Sequence, residues 1–253
     1  MKTRFVSAVA SIMGACLLML AGMAHSSEIK VMATVAVKET FLELAQQFET
    51  SSGHKVVPVW SASTDITKRV KAGETADIVI VGAGAIDELI TSGKLLPGSR
   101  VDLMTSGIGV AVRAGAPKPD ISSQEALKRT LLSAKSIGYS TGLSGVYMNS
   151  LFQRMGIADE LKPKLKQAPP ASMVGEMVAR GEVDIGFHQV SELIHVAGID
   201  YLGPLPPEIQ QITTFSSGIH VGAKDPAAAK AFVDFLHSPS AAPVIKRNGM
   251  QPA

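Results

Sequence analysis

Hydrophobic positions follow two different periods along residues 28–253. Short runs such as 29–33 and 77–81 are almost continuously apolar, which is typical of strands whose two faces are both covered. Between such runs, as over 37–50, apolar residues recur every three or four positions, and this spacing predicts helices with one buried face. The chain therefore alternates predicted strands with predicted helices.

The pattern predicts seven strands and nine helices. Strands are predicted at 29–33, 56–59, 77–81, 104–112, 136–139, 184–188 and 213–223. Helices are predicted at 37–50, 64–71, 85–91, 123–132, 143–155, 172–179, 192–197, 226–236 and 241–248. Such alternation predicts an α/β fold with largely parallel sheets. The length favours two lobes, and the long strands at 104–112 and 213–223 are placed to cross between them.

Residues 1–27 have the pattern of an export signal. Lys2 and Arg4 precede an uncharged apolar run at 5–21, and small residues at 22–24 suit cleavage by a signal peptidase. The alternative is a membrane anchor, but the run of about 17 residues lies at the lower limit for a span and no basic cluster follows it. We therefore expect a cleavable signal peptide and a protein exported to the periplasm.

The composition excludes several classes of function. The formal charge of +2 comes from Lys2 and Arg4, so the rest of the chain is formally neutral and lacks the basic surface that a nucleic-acid-binding protein needs. The single cysteine, Cys16, excludes an intramolecular disulfide and a cysteine-rich zinc site. The histidines show no metal-ligand spacing, and a tight turn explains the glycines at 82–84 better than a dinucleotide site. We expect neither a metal nor a cofactor.

Two turns rich in hydroxyl groups, 61–65 and 139–145, each join a predicted strand to a predicted helix. Hydroxyls together with the free N–H groups of a helix N-terminus bind anions, and two such turns in separate halves of the chain would face each other across a cleft. The alternative is that both are ordinary helix caps. The candidate ligand-binding residues in these turns are Ser61, Ser63, Thr64, Ser140, Thr141, Ser144 and Gly145.

Three further side chains are candidates for anion chemistry. His188 closes a predicted strand, where it is placed to bind a carboxylate or move a proton, although a lone histidine is more often a structural hydrogen bonder. Lys38 and Arg69 lie in the first turns of helices that follow the candidate turns and would offset the charge of an anion. Solvated surface charge is the alternative for both.

Five segments carry a resemblance to a known family: 29–44, 61–77, 137–152, 178–188 and 231–249. Over almost the whole exported part, the chain resembles the molybdate-binding proteins of ABC importers, which are type II periplasmic substrate-binding proteins. The resemblance implies two α/β lobes around a cleft, with residues 28–107 plus 222–253 in one lobe and 108–221 in the other. It also implies a monomer that binds a small anion, with the permease of an importer as a candidate partner.

The chain departs from that family at two ligand positions. Ala36 stands where the family has a serine, and Gln189, beside His188, stands where it has a tyrosine, whereas Ser63 is retained. A buried oxyanion needs a donor for each charged oxygen, so the missing hydroxyl and phenol favour a ligand with several carboxylates over molybdate. Ala36 and Gln189 remain candidate contacts by position.

Three functions follow from these observations. The first is an exported protein that binds a small anion, preferably a dicarboxylate or tricarboxylate, in the cleft. The second is an isomerase on the same scaffold, because one relative of the family is the periplasmic aconitate isomerase, which moves a double bond by a 1,3-proton shift; His188 would be its base. The third, a scaffold that only contacts other proteins, has no feature in its favour.

Overall fold

The computed structural model describes residues 26–169 and 172–253. The predicted signal peptide therefore lies outside the described residues, apart from its last two positions. The strands are β1 (Glu28–Thr34), β2 (Lys55–Ser61), β3 (Ile78–Gly82), β4 (Val101–Ser106), β5 (Ile108–Arg113), β6 (Ile137–Tyr139), β7 (Leu165–Gln167), β8 (Ile185–Gln189), β9 (Ile199–Pro204), β10 (Thr213–Ile219) and β11 (Gln251–Pro252).

The α-helices are α1 (Lys38–Ser52), α2 (Ser63–Lys71), α3 (Ala83–Thr91), α4 (Gln124–Ser133), α5 (Leu143–Arg154), α6 (Ala158–Leu161), α7 (Val174–Ala179), α8 (Val190–Leu193), α9 (Pro226–Leu236) and α10 (Ala242–Arg247). Short 3-10 turns lie at Val35–Val37, Lys162–Lys164, Pro207–Ile209 and Pro239–Ala241. Among the described residues, no helix has the length and apolar character to cross a membrane.

The strands form two sheets, which confirms the α/β fold with two lobes. The first sheet has the order β11-β4-β10-β3-β1-β2 and the second has the order β7-β6-β8-β5-β9. Parallel pairing joins β1 to β2 and β3 in one sheet, and β6 to β7 and β8 in the other. The remaining pairs are antiparallel, so both sheets are mixed. We call the parts built on them the first and the second lobe.

The predicted strand 104–112 is two strands in two sheets. β4 ends at Ser106, β5 begins at Ile108, and Gly107 alone joins them, so the chain crosses between lobes at this glycine. The second crossing differs from its predicted place. β10 begins at Thr213 and already pairs with β3 and β4 of the first sheet. By sheet membership this crossing lies between Pro204 and Thr213, before the limit predicted at 221.

Both faces of the first sheet are buried, which explains its continuous apolar strands. Ile78 and Ile80 of β3 belong to one core cluster, whereas Val79 belongs to the cluster on the opposite face. On the first of these faces, α1 buries the predicted apolar positions of its 37–50 segment, and Phe41 and Phe48 pack against Phe232 of α9 with ring centroids 5.5 and 4.9 Å apart. The second lobe has a separate core.

Periodicity missed the short and peripheral elements. β7 and β9 lie at the two edges of the second sheet and expose much of their length, so they lack the apolar runs of central strands. The predicted helix 192–197 is instead the short α8, Val190–Leu193. This shift matters because it brings Glu192 into the helical turn that directly follows β8.

Candidate functional site

A cleft lies between the two lobes, at the carboxyl ends of β1, β2, β6 and β8. Ligands of open α/β sheets bind at this edge, because helix N-termini and loops converge there. The cleft is lined by Thr34, Val35, Ala36, Ala62, Ser63, Ser140, Thr141, Gly142, Leu143, Ser144, Ser172, His188, Gln189, Glu192 and Phe215.

Most of the candidate residues come together in this cleft. The candidates that line it are Ala36, Ser63, Ser140, Thr141, Ser144, His188 and Gln189. Two others lie next to it with their hydroxyls engaged: Ser61 donates to Asp65 Oδ2 at 2.7 Å, and Thr64 donates to the carbonyl oxygen of Thr141 in the other lobe at 3.3 Å.

The two hydroxyl-rich turns place two helix N-termini at the cleft. α2 follows Ala62 and α5 follows Gly142, and neither helix has a side-chain cap. The first N–H groups of an α-helix have no partner within the helix and carry its positive end. Since no side chain caps them, the ordinary-cap interpretation of these turns is not supported, and the N–H groups remain available to an anion.

Ser63 adds a donor that is unusual for a folded protein. Its side chain is buried, at 2% exposure, and its Oγ has no hydrogen-bond partner among the described residues. A buried polar group without a partner costs about 1–3 kcal/mol. Because Ser63 lines the cleft, a bound ligand is the simplest partner for this hydroxyl.

The second turn is held by contacts among its own residues. Ser140 Oγ accepts from the N–H of Gly142 at 3.2 Å and lies 2.9 Å from Ser144 Oγ. At Gly145 the chain passes so close that a Cβ atom there would lie 1.7 Å from the carbonyl oxygen of Ser140. Gly145 therefore acts through the shape of the turn and not as a lining residue.

His188 and Glu192 form a buried pair in the cleft. His188 is the second-last residue of β8, and Glu192 lies in α8, the short helix that follows. Nε2 of His188 is 3.2 Å from Oε1 of Glu192. The residues are only 4% and 7% exposed. This distance would suit an ion pair, but burial lowers the pKa of His188 and raises the pKa of Glu192 to about 8. We therefore describe a neutral hydrogen-bonded pair at pH 7.

The second imidazole nitrogen of His188 is not engaged. Its Nδ1 is buried and has no partner among the described residues. In a neutral imidazole one nitrogen donates and the other accepts, so the role of Nδ1 follows from the proton between Nε2 and Glu192. If the carboxyl group donates to Nε2, Nδ1 carries a hydrogen. If Nε2 donates to a carboxylate, Nδ1 has a free lone pair.

No lysine or arginine is among the described residues that line the cleft. The guanidinium of Arg69 donates to Glu74 at 2.7 and 2.9 Å and lies 3.4 Å from Asp65, so the geometry does not support the anion clamp predicted for it. Lys38 is half-buried at the start of α1 and also lies outside the lining. Attraction for an anion must come from N–H groups, hydroxyls and the imidazole.

Sequence reasoning missed Glu192, the second titratable residue of the cleft. No local pattern marked it, because His188 lies in β8 and Glu192 lies in a helix of only four residues. Thr34, Ala62, Leu143 and Phe215 also line the cleft and were missed; the last three have apolar side chains without a donor or an acceptor. Within residues 26–169 and 172–253, no group of three or more His, Cys, Asp and Glu side chains is arranged to hold a metal ion.

One further contact closes the cleft from the side of α8. Ser191 Oγ donates to the carbonyl oxygen of Ala36 at 2.7 Å, and both residues are buried. Ala36 belongs to the first lobe and Ser191 to the second, so this bond and the Thr64–Thr141 bond tie the lobes together across the cleft. Two lobes around a polar cleft, with crossing strands behind it, are the architecture of solute-binding proteins.

Comparison with known families agrees with this architecture. The profile of the bacterial extracellular solute-binding protein family matches residues 29–251. The chain belongs to this family. Among curated relatives of this solute-binding protein, aconitate isomerase of a Pseudomonas species is 39% identical over 230 residues, covering 88% of this chain and 87% of the relative. The molybdate-binding protein ModA of Escherichia coli is 23% identical and covers 90% of each chain.

Solved structures confirm the fold of the solute-binding protein. The periplasmic molybdate-binding protein of Azotobacter vinelandii superposes with a TM-score of 0.75 at 21% identity, covering 88% of this chain and 98% of that chain. The sulfate-binding protein of Mycobacterium tuberculosis gives 0.73 at 20% identity, covering 90% and 88%. The family profile and the curated relatives confirm the predicted resemblance to the molybdate-binding proteins and to aconitate isomerase.

Proposed function

We propose that this solute-binding protein is an isomerase of the aconitate type, which holds an unsaturated tricarboxylate in the cleft and moves a proton between two of its carbons. The observation that carries the proposal is the buried His188–Glu192 pair. A protein that only holds an oxyanion needs hydrogen-bond donors, whereas this cleft also contains a pair able to take up and release a proton.

Anion binding is the common part of the candidate functions. Two uncapped helix N-termini, at Ala62 and Gly142, face a cleft that also contains the unpartnered hydroxyl of Ser63. Carboxylate oxygens accept hydrogen bonds from such groups and are attracted to the positive ends of helices. The carboxylates of the ligand would be held by these donors, with the reacting carbons towards His188.

The pair supports proton transfer because it has two forms that differ by one proton. In one form the Glu192 carboxyl donates to Nε2 of His188, whose Nδ1 then carries a hydrogen and is an acid. In the other form Glu192 is a carboxylate that accepts from Nε2, and Nδ1 has a lone pair and is a base. The raised pKa of Glu192, about 8, places the change between these forms near physiological pH, which suits acid–base catalysis.

The proposed reaction balances without any other reactant. The base form removes a proton from the methylene carbon of aconitate, and the electron pair of that C–H bond is delocalised as a dienolate onto a carboxylate. The double bond shifts by one carbon, and the acid form then returns a proton to the former vinylic carbon. The conformation about the bond between the methylene and the central carbon when the proton leaves fixes the geometry of the new double bond, so the product is the cis or the trans isomer, and the pair returns to its starting form.

A relative supports this assignment, and a second candidate function has support of its own. The 39% identical relative is an aconitate isomerase.

Passive binding of an oxyanion is the second candidate, because the ModA relatives bind molybdate and the hydroxyl-lined cleft offers only uncharged donors outside the His188–Glu192 pair. In that case the protein would deliver its ligand to the permease of an ABC importer. For both functions we propose a periplasmic monomer released from a cleaved signal peptide at 1–27.

Ligand-dependent melting and turnover test the proposal together. Trans-aconitate, cis-aconitate and citrate should raise the melting temperature, since a ligand that binds only the folded state stabilises it, and molybdate and sulfate should raise it less.

The wild type should convert trans-aconitate to cis-aconitate, and ultraviolet absorbance measures this conversion. His188→Gln should lose turnover and keep binding. His195→Gln, a change at an exposed histidine, is the matched control. Stabilisation by molybdate alone would refute the proposal.

A further inference from the structure

Gln189 lies at the point where the two sheets separate. Gln189 pairs with Ile108, the first residue of β5, in the second sheet. Ser106, two positions before Ile108, pairs with Thr213 of β10 in the first sheet. Gly107 stands between them, and its carbonyl oxygen accepts from the N–H of Val190 at 2.9 Å. Both crossing segments therefore pass beside Gln189.

The side-chain amide of Gln189 binds both crossing segments. One orientation of the amide satisfies every neighbouring group: Nε2 donates to the carbonyl oxygens of Gly107 at 3.1 Å and Ser106 at 3.3 Å, and Oε1 accepts from Thr213 Oγ1 at 3.2 Å. The residue is 2% exposed. Both amide hydrogens and the amide oxygen are thus engaged, which leaves little capacity for the ligand contact suggested by its position in the sequence.

These bonds connect the first lobe to the residue beside His188. Ser106 and Thr213 belong to the first sheet, whereas Gln189 and His188 are consecutive residues of β8 in the second. A rotation of the lobes about Gly107 would strain the bonds to Ser106 and Thr213. We propose that Gln189 is a positioning residue, which fixes the end of β8 and with it the His188 ring when the lobes are closed. This inference rests on the proposed function for its catalytic consequence only.

Gln210 offers a control at the same junction. Its amide bonds Ile108 twice, accepting from the N–H at 2.8 Å and donating to the carbonyl oxygen at 2.9 Å, and it also contacts Leu205 and Gln211, so none of these bonds is to a residue of β8. Gln210→Met would disturb the crossing without touching β8. Gln189→Met removes the three bonds of Gln189 at similar side-chain volume. If the role of Gln189 is to position His188, Gln189→Met should alter the acid–base chemistry and Gln210→Met should not.

The test compares the two variants with trans-aconitate. For Gln189→Met we expect kcat to fall about tenfold or more, since small misplacements of catalytic groups are costly, with the Kd changed less than about threefold because the donors of the two helix N-termini are intact. Gln210→Met should keep the wild-type kcat. A loss of binding at unchanged kcat in Gln189→Met would make Gln189 a ligand residue, and equal loss of kcat in both variants would indicate a general effect of the crossing; either result overturns the proposal.

Charge at this position gives a second test. In Gln189→Glu a carboxylate would face two carbonyl oxygens, and protonation would restore a donor, so kcat relative to the wild type should rise as pH falls. A constant ratio of the two kcat values across pH would contradict the proposal.

The imidazole resonances of His188 provide a readout that needs no turnover: Gln189→Met should shift them and Gln210→Met should not. If the wild type fails to isomerise aconitate, the proposed function is refuted, and these resonances still decide the role of Gln189.

Discussion

The hydroxyl of Ser191 donates to the carbonyl oxygen of Ala36 at 2.7 Å and so joins the second lobe to the first within the cleft. Ser191 lies directly before Glu192 in α8. The same short helix therefore supplies a bond that holds the lobes together and a carboxyl group that pairs with His188. Closure of the cleft and placement of the His188–Glu192 pair are linked through this helix.

Removal of the Ser191 hydroxyl should weaken closure. In Ser191→Ala the buried carbonyl oxygen of Ala36 loses its partner, which costs about 1–3 kcal/mol. We expect a larger radius of gyration without ligand and about a tenfold or greater loss of affinity for trans-aconitate, measured by small-angle X-ray scattering and calorimetry. Ser133→Ala, at an exposed serine that bonds only within its helix, is the control. Wild-type affinity in Ser191→Ala would contradict this prediction.

Ser63 and Ser61 should behave in opposite ways. The Ser63 hydroxyl has no partner among the described residues, so Ser63→Ala should keep or slightly raise the free energy of unfolding and should weaken ligand binding by about 1–3 kcal/mol. The Ser61 hydroxyl is bonded to Asp65, so Ser61→Ala should lower stability by about 1 kcal/mol and leave affinity nearly unchanged. Chemical denaturation and calorimetry on both variants measure the two quantities, and a reversed pattern would refute the assignment of Ser63 to the ligand.

Gly145 should be required by the shape of the second turn. In Gly145→Ala the added Cβ would meet the carbonyl oxygen of Ser140 at 1.7 Å, so the start of α5 must shift. We expect a loss of stability of about 1–3 kcal/mol or more and a clear loss of ligand-induced stabilisation. Gly84→Ala is the control, since nothing lies within 4 Å of a Cβ at that helical glycine, and it should be neutral or stabilising by up to about 1 kcal/mol. Similar melting curves for the two variants would contradict the account.

The His188–Glu192 pair should give stability an unusual pH dependence. Burial raises the pKa of Glu192 from 4.5 to about 8 and lowers that of His188 from 6.5 to about 3. Between 4.5 and 8 the folded protein keeps a proton on Glu192 that the unfolded chain loses, so this group lowers stability as pH rises. Between 3 and 6.5 His188 has the opposite effect. The two cancel between 4.5 and 6.5, and Glu192 acts alone above that.

Glu192→Gln isolates this contribution. The wild type should lose up to about 1.4 kcal/mol of unfolding free energy per pH unit between pH 6.5 and 8 through Glu192, and the variant should lack this loss. Urea denaturation at several pH values in this window measures it. Glu125→Gln, at an exposed glutamate, should keep the wild-type slope. If Glu192→Gln keeps it as well, Glu192 is ionised in the folded protein and the neutral pair is wrong.

The sequence predicted the parts of the fold that depend on burial. The apolar run of β3 is buried on both faces, and the 37–50 pattern became α1 with its predicted face in the core. The limits of the second lobe could not be found in the same way. Whether the chain from Thr213 to Ile219 crosses or already belongs to the first sheet depends on its pairing with β3 and β4, which no local pattern contains.

The candidate site was predicted where it depends on turns and missed where it depends on burial. Ser63, Ser140 and His188 were found because each follows or closes a strand. Arg69 was placed in the cleft by proximity in sequence, but Glu74 and Asp65 engage its guanidinium. Glu192 escaped because a glutamate in a short helix has no distinguishing pattern, and only the three-dimensional structure shows that its carboxyl group is buried against His188.

The most direct test of the central claim is the time course of trans-aconitate with the wild type and Glu192→Gln, followed by proton NMR, with binding measured in parallel. The account predicts that the wild type forms cis-aconitate up to equilibrium. It predicts that Glu192→Gln binds trans-aconitate with similar affinity and converts it about a hundredfold more slowly or worse, the usual contribution of acid–base catalysis. Tight binding by the wild type with no conversion, or equal conversion by both proteins, would contradict it.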